Sequence, residues 1–118
     1  MNCEARRRVL LVGRDLHEAE RVRRLLPAQV GIAHAPSQAV LALPLLDVLL
    51  LEDRHWAEEE DGALCRLREL SAARRLALIL SRLRGDRGDS AGVPVVERPY
   101  RMEEIVAAMR LALLRRRA

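Results

Sequence analysis

The stretch DVLLLEDRHW, residues 47–56, decides how the rest of the chain is read. Four consecutive apolar residues follow Asp47 and run directly into two acids, Glu52 and Asp53, then an arginine, a histidine and the only tryptophan. An apolar run this short, with no polar alternation, is the mark of a strand covered on both faces. Carboxylates at the mouth of such a strand are either chemistry or solvated loop. The remainder of the sequence has to decide between them.

Similar runs recur on both sides. VLLVG (9–13) is a buried strand closed by glycine. Asp15 then stands as a helix N-cap with Glu18 three residues on, the spacing of a capping box. Leu16, Ala19, Val22, Leu25 and Leu26 follow at helical spacing until Pro27. VGIAHA (30–35) is a second strand, and Ser37–Leu43 a helix stopped by Pro44. After residues 47–51 and the loop EDRHWAEEE, Asp61 and Gly62 open a helix with Leu64, Leu67 and Leu70 as its stripe. LALIL (76–80) ends at Ser81, and VPVV (93–96) carries Pro94, which suits an edge strand. A last helix spans about Met102–Arg116, with Ile105, Ala108, Met109, Ala112 and Leu113 on one face.

Five apolar strands alternating with helices predict an α/β domain with a doubly wound parallel sheet. One domain fits 118 residues. Residues 1–7 are expected to fray, and 115–118 to form a tail or the start of a linker. In such sheets the functional crevice lies beyond the carboxyl ends of the strands. The polar residues there are Gly13, Arg14 and Asp15, then Glu52 and Asp53, Ser81 and Arg98.

Composition narrows the options. Every one of the 21 basic residues is arginine, and there is no lysine, threonine or phenylalanine. The net charge is +4, but the arginines are interleaved with acids, which reads as a solvated surface more than a nucleic-acid face. Cys3 and Cys65 lack metal spacing, and His17, His34 and His55 are scattered. A reduced, cytoplasmic protein with no metal, no cofactor and no membrane span is expected. Cys65 reads as a small buried filler. No P-loop, GxGxxG or Ser-His-Asp arrangement is present.

Taken together, VLLVGRD, DVLLLE...DG, LALILS and VVERPY resemble the receiver domain of two-component response regulators over residues 7–116. The resemblance implies a flavodoxin-like sheet of order 2-1-3-4-5. It also implies a pocket in which an acid pair after the first strand holds Mg²⁺ and an aspartate after the third accepts a phosphoryl group. A hydroxyl after the fourth strand and a lysine after the fifth then engage the phosphoryl oxygens. Phosphoryl transfer needs such cations against the developing charge.

This chain departs from that pattern at most charged positions. The acid pair falls on Gly13 and Arg14, and an arginine repels Mg²⁺; Asp15 is explained as a cap. The acceptor position is Glu52 by strand register and Asp53 by counting back from Asp61-Gly62. The strand is the firmer ruler, because a slip of one residue turns side chains to the other face of the sheet. Arg98 replaces the lysine with a planar fork, and Ser81 is retained. Residues 82–97 leave little room for a helix between the fourth and fifth strands, and Val95 stands where the family has an aromatic.

The expectation is a degenerate receiver that signals through protein contacts, with Arg14 and Arg98 flanking Glu52. Arg98-Pro99 is expected to be cis. Trp56 is a candidate partner anchor. Leu111 and Leu114, off the main stripe of the last helix, are candidates for a homodimer, partner or output-domain surface. The rival expectations are a phosphoacceptor receiver using Asp53, the N-terminal part of a DNA-binding response regulator, and a small basic nucleic-acid-binding α/β domain.

Overall fold

The computed structural model describes residues 7–13, 16–25, 29–52, 62–85 and 92–117. In chain order these form β1 (Arg8–Val12), α1 (Leu16–Leu25), β2 (Gln29–Ala33) and α2 (Pro36–Ala42), which runs into a 3-10 turn, Leu43–Leu45. Then come β3 (Val48–Glu52), α3 (Gly62–Ala72), β4 (Leu78–Leu83), β5 (Val95–Arg98) and α4 (Met102–Arg117). The five strands are all parallel in the order β2-β1-β3-β4-β5, as expected.

Alternation along the strands sorts the core. Val9, Leu11, Val48, Leu50, Ile79 and Val96 pack with Val22 of α1 and with Ile105, Ala108, Met109 and Ala112 of α4. Leu10, Val12, Leu49, Leu51, Leu78 and Leu80 pack on the opposite face with Ala39 of α2 and Leu64 and Leu67 of α3. Every residue of β3 is buried, which explains its unbroken apolar sequence. The same period of two carries Gly13, Glu52, Ser81 and Arg98 to the face covered by α1 and α4. Four strand ends therefore aim their side-chain positions at one region.

The elements differ from expectation in their bounds. β3 extends through Glu52, so this acid is a strand residue paired in register with Ser81, not the first residue of a loop. β4 continues past Ser81 to Leu83, and β5 begins after Pro94, whose carbonyl accepts the Leu80 N–H. Pro94 thus sits just outside the strand, and β5 is an edge strand as its composition implied. Between β4 and β5 no helix occurs among the described residues, which here are 84, 85 and 92–94. The Arg98-Pro99 peptide is cis.

Local signals account for the helix ends. Pro36 opens α2, and Gln38 reaches back so that its Oε1 accepts from the backbone N–H of His34 at 2.7 Å and of Ala35 at 3.2 Å. After α3 the Arg75 N–H returns to the Leu70 carbonyl and Arg74 N–H to that of Ser71, closing a Schellman motif. Its left-handed position is filled by Arg74 at φ 59° where glycine is usual. Cys65 is exposed on α3, which corrects its reading as a buried filler: it lies off the stripe of Leu64 and Leu67. No helix among the described residues is long and apolar enough to cross a membrane.

Candidate functional site

The carboxyl edge of the sheet is organised around Glu18, a residue of α1 that the sequence offered only as a capping partner. Its side chain is 3% exposed. The Ser81 hydroxyl donates to Glu18 Oε1 at 2.6 Å, and the Tyr100 hydroxyl donates to the same oxygen at 3.0 Å. Arg98 Nη1 lies 3.7 Å from Glu18 Oε2. Side chains from β4, from β5 and from the turn that follows β5 thus converge on one carboxylate. A short O–H···O⁻ bond of this kind is charge-assisted, which is why burial of the acid is tolerated.

The electrostatics follow from that placement. Burial pushes the Glu18 carboxyl above its ordinary value of 4.5, opposed by the bonds from Ser81 and Tyr100 and by the Arg98 charge; the nearby Glu52 carboxylate reinforces the rise. Tyr100 is 1% exposed, and its phenol is held far above its usual 10, first by burial and then by Glu18. It therefore stays protonated and donates.

Glu52 is 3% exposed and points back across the first strand. A Cβ added to Gly13 would stand 2.1 Å from Glu52 Oε1 and 2.7 Å from its Cδ. The approach is close: the Glu52 side chain fills the space that a side chain at position 13 would use, so a Cβ there needs Glu52 to move. No carboxylate can sit there without displacing Glu52.

The sequence reading placed Glu52 between Arg14 and Arg98. The carboxylate found on Arg98 is that of Glu18. Ser81 and Arg98 both reach Glu18. Asp53, Trp56, Arg14 and Asp15 lie outside the described residues. Leu111 and Leu114 are 56% and 64% exposed on α4, as their position off the apolar stripe required. Sequence reasoning missed Glu18 and Tyr100. A signal for Glu18 did exist: it lies four residues before Val22 and seven before Leu25, on the apolar stripe of its own helix.

The described residues leave little open to a cation at this edge of the sheet. Among them no group of three or more His, Cys, Asp or Glu side chains is placed to hold a metal, position 13 is filled by Glu52, and Glu18 Oε1 already accepts two hydroxyls. A hard octahedral cation needs oxygens it can claim for itself.

With this geometry in hand, solved structures place the fold. The chain is similar to the signal receiver domain of an HD domain-containing protein from Pseudomonas fluorescens Pf-5, with TM-score 0.67 and 20% identity over 95% of this chain and 98% of that one. A response regulator receiver domain protein from Clostridium thermocellum aligns with TM-score 0.69 and 13% identity, covering 94% and 97% of the two chains. A probable two-component system response regulator/GGDEF domain protein aligns with TM-score 0.70 and 25% identity, covering 95% of this chain and 51% of that one. No protein-family model matches the sequence, and no curated protein is significantly similar to it. The fold is that of response regulator receiver domains.

Proposed function

We propose that this domain is a signalling module of receiver type that acts through protein contacts, is not an enzyme, and does not depend on Mg²⁺-assisted aspartyl phosphorylation. The observation that carries this is the position of the Glu18 carboxylate. In receivers the hydroxyl after β4 and the cation after β5 engage the oxygens of a phosphoryl group. Here Ser81 and Arg98 face a carboxylate that the chain itself supplies, and Tyr100 adds a third donor. A built-in anion on those groups holds them in one arrangement without a transferred phosphate. The Glu52 side chain occupying the space at position 13 supports the same reading.

The output is then contact with another protein in the cytoplasm, or with an output domain on the same chain. Leu111 and Leu114 on α4 supply apolar surface for it, and pairing of two copies through this helix is the simplest form of such contact. Nucleic acid is not the expected partner of this domain.

The test is an amide NMR spectrum recorded with and without Mg²⁺ plus beryllofluoride, a phosphoryl mimic. An unchanged spectrum is expected. Saturable shifts clustered at Glu52, Ser81 and Arg98 would replace this function with that of a phosphoacceptor receiver, with Asp53 as the acceptor to test first.

A further inference from the structure

A cleft of about 540 Å³ opens between α1 and the turn that joins β5 to α4, within the size range of small-molecule sites. One wall is a face of α1: His17, Arg21 and Arg24 stand at i, i+4 and i+7. The other wall is Leu83, Pro99 and the Tyr100 segment, with Arg98 at the inner end. The α1 wall also carries Glu18 and Glu20, and the opposite wall is largely apolar.

The charges in the cleft do not cancel locally. Glu18 faces Arg98, and Glu20 is engaged by Arg23 at 3.1 Å. Arg21 uses its Nε to donate to the Tyr100 carbonyl at 3.2 Å, which holds the guanidinium at the cleft and leaves its terminal nitrogens without a hydrogen bond among the described residues. Neither Arg21 nor Arg24 has a carboxylate partner among the described residues. Two guanidinium groups one helical turn apart match a dianionic phosphate better than a single carboxylate, because each can present a planar fork of donors. Leu83 is more than half exposed at the end of β4, an apolar surface against which a flat ligand body would lose water.

We infer that this cleft binds a small aromatic phosphate monoester, with the phosphate on Arg21 and Arg24 and the ring against Leu83 and Pro99. Arg98 and Tyr100 belong both to the cleft wall and to the shell of Glu18, so occupancy is communicated to the carboxyl edge of the sheet. That coupling rests on the phosphorylation-independent role proposed above; the binding itself does not.

The experiment is an amide NMR titration with 1-naphthyl phosphate, run beside inorganic phosphate and 1-naphthol. Saturable shifts at His17, Arg21, Arg24, Leu83 and Tyr100 are expected with the ester, and at least tenfold weaker binding with either half alone. Arg24→Glu should weaken the ester at least tenfold while leaving the remaining spectrum in place, since Arg24 is exposed. Arg66→Glu, on α3 away from the cleft, should leave binding as it is. No saturable shifts, shifts centred elsewhere, or equal affinity in Arg24→Glu would overturn the inference. The beryllofluoride spectrum is read separately, so a failed ligand and a failed signalling role give different results.

Discussion

The Ser81 hydroxyl stands 2.6 Å from Glu18 Oε1, a bond that ties the interior of β4 to the first turn of α1 across 63 positions of sequence. Its length is at the short end of the range for an O–H···O hydrogen bond. Ser81→Ala removes that donor and leaves Tyr100 and Arg98 on the acid. A loss of about 1.5–3 kcal/mol is expected, the range for hydrogen bonds to charged groups. Urea unfolding measures it as a lower midpoint at unchanged slope. A loss under about 0.5 kcal/mol would mean that the bond contributes nothing in solution.

Glu18 also gives the stability a pH dependence of definite sign. Burial raises its folded-state pKa above 4.5, so the folded chain holds this proton more tightly than the unfolded chain does. The resulting stabilisation is complete below the unfolded value and is lost as pH rises through the folded one. Glu18→Gln cannot titrate there. The stability of the wild type minus that of Glu18→Gln should therefore fall as pH increases from 4.5. A difference that is flat or climbs over that interval would show that Ser81, Tyr100 and Arg98 outweigh burial.

Gly13 and Glu52 share one space. Gly13→Ala sets a methyl 2.1 Å from Glu52 Oε1 and should cost about 1–3 kcal/mol, as overpacking does. In a Glu52→Ala background the same change should cost much less, with a coupling of about 0.5–3 kcal/mol between the two sites. Additive losses would disprove the steric account. An aspartate at position 13 meets the same obstacle, so introducing one should destabilise the domain before it creates a metal site.

Arg74 ends α3 at φ 59°, in the left-handed region that costs a residue with a Cβ about 1–2 kcal/mol. Its side chain is exposed. Arg74→Gly should therefore stabilise the protein by about 0.5–1 kcal/mol, read as a higher thermal midpoint. A lower midpoint would mean that the arginine makes a contact that outweighs its backbone strain.

Leu111 and Leu114 lie three residues apart on the outer ridge of α4. If this ridge joins two copies, sedimentation of the wild type will show a dimer, and replacing both leucines with glutamate will give a monomer with an unchanged helical spectrum. A wild type that remains monomeric at high concentration assigns the ridge to a different partner.

The sequence by itself carried the architecture. Runs such as VLLV and VLLL, too short for helices and bounded by polar residues, suit strands covered on both faces, and helical stripes between them supply the cover. Gly13, Glu52, Ser81 and Arg98 could be placed at strand ends by counting, and Leu111 and Leu114 could be seen to lie off the α4 stripe. Strand ends were legible to within three residues, because the last ladder bonds depend on neighbours that sequence does not display.

The tertiary structure alone decided which carboxylate meets which cation. Glu52 and Arg98 both close strands, β3 and β5 are separated by β4, and α1 crosses over the same face. That crossing delivers Glu18 to Ser81, Tyr100 and Arg98, residues 63 to 82 positions away. Local pattern records only that a helix has an apolar stripe. Which strand ends lie beneath the stripe is fixed by the packing of the whole sheet, and so an acid that reads as a cap in sequence becomes the centre of the site in three dimensions.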